Sequence, residues 1–349
     1  MNQVKTVLVT GSQGFIGSYI CNELLSNNYK VIGIDNYSKY GKVNRSHDKN
    51  PNFRLIEGDC ASEKLKEQFL TGNEKDTHFD FIIAGAAMIG GISYFHKYAY
   101  DLLATNERIL ANTFDLGINR HARKKLDRMI VLSSSMVFEN ATIWPTPEGH
   151  ELNCPPPFST YGFQKLSSEY FTKGAWEQYN LPYTIIRPFN CIGVGEDKAL
   201  HEEEIMSGNV KLMMSHVVPD LINKCLLGQD PLHILGKGDQ IRHYTNGKDI
   251  ARGIRLALES DKAINQDFNI STSVSTTVLE LAEMIWGKIN PNKPFHHISD
   301  KPYEHDVQKR IPDTEKAKKI LGFEAEINLS DSLDEVIEWM KSNMKKVSQ

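Results

Sequence analysis

The chain has 349 residues, enough for one large α/β unit or two closely joined domains around a sizeable core. Its 40 Lys and Arg residues against 44 Asp and Glu residues give a formal net charge of −4, and no long basic block indicates a nucleic-acid or membrane surface, so a small-molecule partner fits better. The first residues lack the pattern of a secretory signal and no apolar run reaches the ~18 residues that span a bilayer, so we expect a cytoplasmic protein.

The first predicted element is a buried strand at residues 5–10 that turns through three glycines into a helix. Such a turn leaves backbone N–H groups unpaired beside the positive end of the helix dipole, which favours a pyrophosphate. The three glycines allow a tight turn, a close approach of phosphate to the backbone, and close packing of helix on strand. A glycine turn without a ligand is the alternative. The pattern predicts a dinucleotide site formed by Gly11, Gly14, Phe15, Ile16 and Gly17.

The second predicted strand, residues 30–35, ends in an acidic residue that bears on the choice of dinucleotide. Asp35 lies eighteen residues after Gly17 and is followed by Asn36. A carboxylate in this place accepts hydrogen bonds from both ribose hydroxyls and repels a 2′-phosphate. We therefore predict NAD rather than NADP as the cofactor, bound in part by Asp35 and Asn36.

Further strand-like runs at 53–57, 79–84, 128–133 and 182–187 alternate with amphipathic helical runs. This alternation predicts an α/β fold of the Rossmann type, a doubly wound parallel sheet whose ligands lie beyond the carboxyl ends of its strands. The third strand end places a carboxylate where it could meet an adenine amino group, with a plain turn carboxylate as the alternative. The strand ends and the long predicted helix over 98–118 supply the candidate cofactor residues Asp59, Cys60, Ala84, Ala86 and Asn106.

After residue 190 the sequence becomes more irregular, more charged and richer in proline. We predict an NAD-binding domain at 1–188 and a smaller α/β domain for the substrate at 189–349, with 246–270 returning to the large sheet. The predicted elements of this half are helices near 211–227, 246–259, 276–288, 313–320 and 330–345, and strands near 231–234 and 268–270.

The residues that can carry chemistry follow the fifth strand. Ser133-Ser134-Ser135 ends that strand, and Tyr161 and Lys165 stand four residues apart at the start of a predicted helix. Residues at i and i+4 share one helix face, so the ammonium can lie near the phenol and favour its ionised form. A phenol titrates near ~10, so it needs such help to act as a base near neutral pH. The Tyr-x-x-x-Lys pair alone is a weak signal, and its context decides.

In that context the sequence resembles the extended branch of the short-chain dehydrogenase/reductase superfamily, the sugar-nucleotide epimerases and dehydratases. The resemblance covers nearly the full chain. It rests on the glycine turn, the acid after the second strand, the serines, the Tyr-x-x-x-Lys pair and three later segments. Those segments are Arg187-Pro-Phe-Asn190-Cys-Ile-Gly193, Gly236-Lys-Gly-Asp-Gln-Ile-Arg242-His-Tyr244 and Val307-Gln-Lys-Arg310.

The resemblance implies a role for each matching residue. Tyr161 would be the base, Ser134 would hydrogen-bond the same substrate oxygen, and Lys165 would hold the nicotinamide ribose and lower the pKa of Tyr161. A guanidinium fork suits a diphosphate, which is the role implied for Arg242. The full set of implied substrate-binding residues is Gly90, Gly91, Ser135, Met136, Asn190, Val218, Arg242 and Arg310.

Departures from the family pattern bear on the reaction. The 4,6-dehydratases carry Asp-Glu after the catalytic Thr, whereas this chain has Ser135-Met136, which disfavours a dehydratase. The loop that begins at Met88 is similar to that of the GDP-mannose 3,5-epimerases. Those enzymes use a Cys and a Lys where this chain has Met136 and His216. His216 is a candidate acid or base because histidine titrates near neutrality, with a residue that only begins a helix as the alternative.

We therefore predict an NAD-dependent sugar-nucleotide epimerase that works through transient oxidation at carbon 4 of the sugar, most simply a 4-epimerase. The alternatives are a 4-dehydrogenase that releases a ketosugar nucleotide, a 3,5-epimerase, and a non-catalytic dinucleotide-sensing scaffold. The expected substrate is a UDP- or GDP-linked sugar. By resemblance alone, we also expect a homodimer formed through the helices near 98–118 and 160–178.

Cysteine and histidine usage gives no sign of a metal. The five cysteines are odd in number, widely spaced and without a C-x-x-C pair, and the twelve histidines lack metal-ligand spacing. We predict reduced thiols and no metal site.

Overall fold

The apolar strands and their following helices form a seven-stranded parallel sheet in the computed structural model, which describes residues 4–89, 97–196, 205–207, 210–212, 216–302 and 307–347. The strands of this sheet are β1 (Thr6–Thr10), β2 (Lys30–Asp35), β3 (Phe53–Glu57), β4 (Phe81–Ala84), β5 (Arg128–Leu132), β6 (Tyr183–Pro188) and β13 (Gln266–Ile270). Their order is β13-β6-β5-β4-β1-β2-β3. The predicted Rossmann-type doubly wound sheet is confirmed.

Helices cover both faces of the sheet and close two apolar cores against it. Val7 and Val9 point to one core while Leu8 points to the other, as the two-residue period of a strand requires. The helices of this half are α1 (Phe15–Ser26), α2 (Glu63–Leu70), α3 (Ala99–Ala122) and α4 (Thr160–Tyr179). Helices α3 and α4 pack against each other.

The second half of the chain has its own apolar core, built around three helices. The remaining helices are α5 (Val217–Leu226), α6 (Gly247–Glu259), α7 (Val278–Ile289), α8 (Glu315–Leu321) and α9 (Leu329–Val347). The short strands are β7 (Cys191–Ile192), β8 (Ile205–Ser207), β9 (Val210–Leu212), β10 (Leu232–Leu235), β11 (Ile241–Arg242), β12 (Thr245–Asn246), β14 (Thr276–Thr277) and β15 (His297–Asp300).

The segment after residue 246 returns to the large sheet. Strand β13 pairs in parallel with β6, and α6 packs against α1. The domain boundary at residue 188 stays a prediction.

The helix predicted near 211–227 is wrong at its start. Residues 210–212 form β9, which pairs in an antiparallel manner with β8, and the helix begins only at Val217. The reason is Pro219: it has no N–H for an intrahelical bond and fits only in the first turn of a helix. Among the helices of the described residues, none is long and apolar enough to cross a membrane.

Candidate active site

A cavity of about 1040 Å³ lies at the carboxyl ends of the sheet strands, between the sheet and the second half of the chain. The glycine turn after β1, the end of β2 and the serines after β5 all line it, as do residues of α5 and of β10. The predicted site residues that line this cavity are Gly11, Gly14, Phe15, Ile16, Gly17, Asp35, Asn36, Asp59, Cys60, Ala86, Ser134, Ser135, Met136, Tyr161, Lys165, Asn190, His216, Val218, Arg242 and Arg310.

The other four predicted site residues are not among the cavity-lining residues of the described part of the chain. Gly90 and Gly91 lie outside the described residues, and Ala84 is the buried last residue of β4. Asn106 is buried in α3, where its side chain accepts a hydrogen bond from the Met88 N–H at 2.7 Å and donates one to the Met88 carbonyl at 2.9 Å. Met88 itself lines the cavity, so Asn106 bears on the site through the loop that it holds.

The glycine turn has the close packing that a dinucleotide site needs. Gly11 has a φ of +76°, and its N–H donates to the Ile34 carbonyl at 2.8 Å. A Cβ on Gly17 would overlap the Gly11 carbonyl. Gly14 begins α1 without any side-chain cap, so nothing from a side chain occupies the N–H groups of the first helical turn. These residues fit a diphosphate held by backbone N–H groups.

The acid at the end of β2 is fixed by backbone hydrogen bonds. Asp35 accepts from the N–H groups of Gln13 at 2.9 Å and Tyr37 at 2.7 Å. Burial raises the pKa of Asp35, while these hydrogen bonds and the charge of Arg45 lower it. The carboxylate thus lies beside the glycine turn, where it can meet ribose hydroxyls. Asp59 accepts from the Ala61 N–H at 2.8 Å, so it forms a local turn besides lining the cavity.

Three side chains that can carry chemistry line the cavity together: Ser134, Tyr161 and Lys165. The Ser134 hydroxyl is hydrogen-bonded to the Tyr161 phenol. The Lys165 ammonium lies 5.9 Å from the centre of the Tyr161 ring and donates to the Leu132 carbonyl at 3.0 Å. Burial lowers the pKa of Lys165 to about 8. All three side chains are buried, so any proton they move is shielded from bulk water.

A second positive charge, that of Arg310, acts on the Tyr161 phenol. Burial raises the pKa of Tyr161, and the opposing influences are the hydrogen bond of Ser134 and the charge of Arg310. The Lys165 ammonium donates to the Leu132 carbonyl here, and its effect on the pKa of Tyr161 stays a prediction. Arg310 comes from the C-terminal segment, whose position next to α4 no local pattern indicates.

A buried ionic network supports the serine turn from behind. The Ser133 hydroxyl donates to Glu169 at 2.6 Å. Arg187 forms two hydrogen bonds with Glu169, at 2.8 and 2.7 Å, and one with Asp267 at 2.6 Å. The network joins β5, α4, β6 and β13, and so holds the turn that contains Ser134 against the helix that contains Tyr161.

Two arginines, Arg242 and Arg310, line the cavity side by side. Arg242 is buried and donates to the Ile241 carbonyl at 2.9 Å. Arg310 is held near it because its N–H donates to the same Ile241 carbonyl at 3.1 Å, and its guanidinium reaches the Asn190 side chain at 3.5 Å. Two guanidinium groups on one wall can bind the two phosphates of a nucleotide sugar.

Arg45 connects the glycine turn to the segment that follows β7. Its guanidinium donates to the Gln13 carbonyl in the glycine turn at 3.0 Å and to the Gly195 carbonyl at 3.4 Å. The next residue, Glu196, is hydrogen-bonded to His216 at the start of α5. His216 thus lines the cavity beside a carboxylate, an arrangement that sequence reasoning did not indicate.

Sequence reasoning also missed Asp220 and Lys224, which line the cavity from α5. Burial raises the pKa of Asp220 to about 7 and lowers the pKa of Lys224. The signal was available as two opposite charges, four residues apart, in the stretch Val217–Leu226, whose other residues apart from Asn223 are apolar. In the described part of the chain, no cluster of three His, Cys, Asp or Glu side chains is placed to hold a metal ion.

Comparison with known proteins places this site in a family. Residues 7–271, more than half of the chain, match the model of the NAD dependent epimerase/dehydratase family. A protein of Methanocaldococcus jannaschii, provisionally named UDP-glucose 4-epimerase, is 31% identical over 338 residues, which are 97% of this chain and 99% of the relative.

Solved structures show the same architecture over the whole length. The UDP-glucose 4-epimerase of Thermotoga maritima, solved with UDP-glucose, is 28% identical and superimposes with a TM-score of 0.79 over 97% of this chain and 99% of its own. The UDP-glucuronic acid 4-epimerase of Bacillus cereus, solved with UDP-glucuronic acid and NAD, is 25% identical with a TM-score of 0.77 over 97% and 99%.

Proposed function

The chain belongs to the NAD-dependent epimerase/dehydratase family and NAD is its cofactor, and from that premise we propose that it is a sugar-nucleotide 4-epimerase. The observation that carries the proposal is the meeting of the Ser134 hydroxyl, the Tyr161 phenol and the Lys165 ammonium between the glycine turn and the two arginines. A scaffold that only senses a dinucleotide has no use for a buried phenol at that junction.

In this proposal each residue has a defined task. Asp35 and the N–H groups at the glycine turn hold NAD, which when bound takes up a hydride and returns it. Tyr161 accepts the proton of the sugar 4-hydroxyl as that carbon is oxidised, and Ser134 hydrogen-bonds the same oxygen. Arg242 and Arg310 bind the diphosphate, and the nearby positive charge of Arg310 also favours the phenolate of Tyr161.

Epimerisation then requires that the ketosugar turn over inside the cavity. The diphosphate stays bound to the arginines while the sugar presents its other face to the nicotinamide, and Tyr161 returns the proton to the oxygen. The volume of about 1040 Å³ fits a cavity that holds a dinucleotide and a nucleotide sugar side by side. The buried positions of Ser134 and Tyr161 keep water from the intermediate.

The 3,5-epimerase alternative rests on His216 and Glu196. Their hydrogen bond supplies one acid/base pair on the substrate side of the cavity. Met136 stands where the second acid or base would be needed, and a thioether neither donates nor accepts a proton at neutral pH. We therefore favour reaction at carbon 4, with His216 as a residue that contacts substrate.

The test is product analysis on the purified protein with UDP- and GDP-linked hexoses, followed by NMR of the anomeric protons. A 4-epimer without accumulation of NADH is the expected result. Accumulating NADH with a ketosugar product would instead establish the 4-dehydrogenase. The absence of turnover with every sugar nucleotide would contradict the proposal and favour the non-catalytic scaffold.

Tyr161→Phe should abolish turnover, a loss of at least about 100-fold, because the general base is removed. NAD binding should persist, since only one hydroxyl is lost. Tyr170→Phe on the same helix is the matched control, because Tyr170 is exposed and should leave turnover unchanged. Full activity in Tyr161→Phe would remove this residue as the base.

A further inference from the structure

The part of the cavity between α5 and Tyr244 is an apolar slot with one charged edge. Val218, Leu221, Ile234 and Tyr244 line the cavity there and belong to the apolar core of the second half of the chain. Asp220 and Lys224 line the same region from one face of α5, because residues four apart on a helix are neighbours. An apolar slot that ends in a few fixed polar groups suits a flat ring with a polar edge.

The two charged groups have unused hydrogen-bonding capacity. In the described part of the chain, no hydrogen bond reaches the Asp220 carboxylate and no basic side chain lies within ion-pair distance of it. The buried Lys224 ammonium donates to the His233 carbonyl at 2.8 Å, which leaves two of its three N–H groups for a ligand. Burying such groups unpaired is costly, so a ligand that pairs both gains affinity.

The proposed function decides which part of a substrate reaches this slot. The reacting sugar carbon must lie at Tyr161, and the diphosphate lies at Arg242 and Arg310. The portion of a nucleotide sugar on the other side of the diphosphate is the nucleoside. Its base therefore enters the slot between Tyr244 and α5.

We propose that Asp220 and Lys224 read the hydrogen-bonding edge of the base and select guanine, so that the substrate is a GDP-linked sugar. Guanine presents two adjacent N–H donors, at N1 and at the exocyclic amine, to a carboxylate, and its O6 accepts from an ammonium. Uracil has a single N–H between two carbonyl oxygens, which would face the Asp220 carboxylate. The inference rests on the proposed function and differs from the matched epimerases, which were solved with UDP-glucose and UDP-glucuronic acid.

The test is calorimetric titration of the intact protein with GDP, UDP, CDP and ADP, which requires no turnover. We expect GDP to bind at least about 10-fold more tightly than the others, because a site built for hydrogen bonds rejects a ligand that leaves its charged groups unpaired. Tighter binding of UDP than of GDP, or no binding of any nucleotide, would overturn the inference. Failure of epimerisation with GDP selectivity intact would count only against the proposed function.

Substitutions locate the selectivity. Asp220→Asn should weaken GDP binding about 10-fold and change UDP binding by less than about 2-fold, because the amide can no longer accept from both N–H groups. Lys224→Met should weaken GDP binding in the same direction. Asp239→Asn, at an exposed position outside the cavity, is the matched control. Thermal unfolding of each variant identifies a folding defect, and unchanged GDP affinity in a folded Asp220→Asn would refute the assignment.

Discussion

His47 is a side chain whose titration should affect stability. It is fully buried, with its ring edge-on to Phe53 at 4.5 Å between centroids, and burial lowers its pKa to about 4. In the unfolded chain it takes up a proton below about pH 6.5, so stability is lost as the pH falls from there toward 4.

Between pH 7 and pH 5, this one residue should cost about 2 kcal/mol of the free energy of unfolding. In urea unfolding at both pH values, the free energy of unfolding of His47→Leu should fall between pH 7 and pH 5 by about 2 kcal/mol less than that of the wild type. His296→Leu, at an exposed position, should behave like the wild type. Equal losses in all three proteins would contradict the role of His47.

Lys165 should make NAD binding sensitive to alkaline pH. Burial lowers the pKa of Lys165 to about 8 in the absence of ligand. Above that pH the free protein loses the ammonium, and we expect the dissociation constant of NAD to rise up to about 10-fold for each pH unit. Titration of the protein freed of NAD, between pH 7 and pH 9.5, measures the effect. Lys165→Met should bind NAD weakly at every pH, without this slope.

The residues that reasoning from sequence found are those tied to strand ends. The turn at Gly11 and the acid Asp35 follow from periodicity and spacing, because a parallel sheet gathers its carboxyl ends at one edge. The pair Tyr161 and Lys165, on helix α4, was found by its spacing together with the resemblance. Asp220 was missed because two charges on a helix are ordinarily a solvated pair. Only the structure shows that this part of α5 faces a cavity.

At the scale of elements, the turn from β1 into α1 depends on the absence of a side chain at Gly17. A Cβ there would overlap the Gly11 carbonyl, so Gly17→Ala must push helix and strand apart. We expect NAD affinity to fall at least about 10-fold and thermal stability to fall as well. Gly174→Ala in the exposed middle of α4 is the control, since its Cβ meets nothing.

That control should raise the free energy of unfolding by about 0.5–1 kcal/mol, because alanine loses less backbone entropy than glycine in a helix. Differential scanning calorimetry with and without NAD measures both effects. Wild-type NAD affinity in Gly17→Ala would show that the turn does not contact the cofactor.

Most strands of the large sheet were predictable to within two residues, because runs such as Val31-Ile-Gly-Ile34 are apolar on both faces. The start of helix α5 was predicted too early because the stretch before it also has apolar residues. Part of that stretch forms strand β9, which pairs with β8. Pairing between distant segments has no local signature, and the return of β13 to the edge of the sheet was predicted only as a segment, without its partner strand.

At the scale of the whole molecule, Arg187 joins parts of the chain that are far apart in sequence. It is fully buried and binds Glu169 in α4 and Asp267 in β13. Arg187→Met would leave the fully buried Glu169 carboxylate without its cation, while Asp267 keeps Lys316, and the free energy of unfolding should fall by about 3–5 kcal/mol.

Denaturant unfolding measures this loss, and turnover should fall with it, because the same network holds Ser133. Arg255→Met provides the contrast, since Arg255 bridges α6 and α1 nearer the surface. Its loss should cost no more than about 1 kcal/mol. Similar losses in the two variants would mean that the buried network stabilises the fold no more than an ion pair near the surface does.

The guanidinium of Arg45 has a consequence for how the two ligands occupy the protein. It donates at the same time to the glycine turn and to the carbonyl of Gly195, whose neighbour Glu196 contacts His216 at the start of α5. If binding of NAD stabilises this bridge and so raises the affinity for the substrate, binding of the substrate must raise the affinity for NAD by the same factor, since coupling between two binding events is reciprocal. An enzyme that takes up a hydride and returns it within one catalytic cycle would thereby keep NAD bound while one sugar nucleotide dissociates and the next one binds.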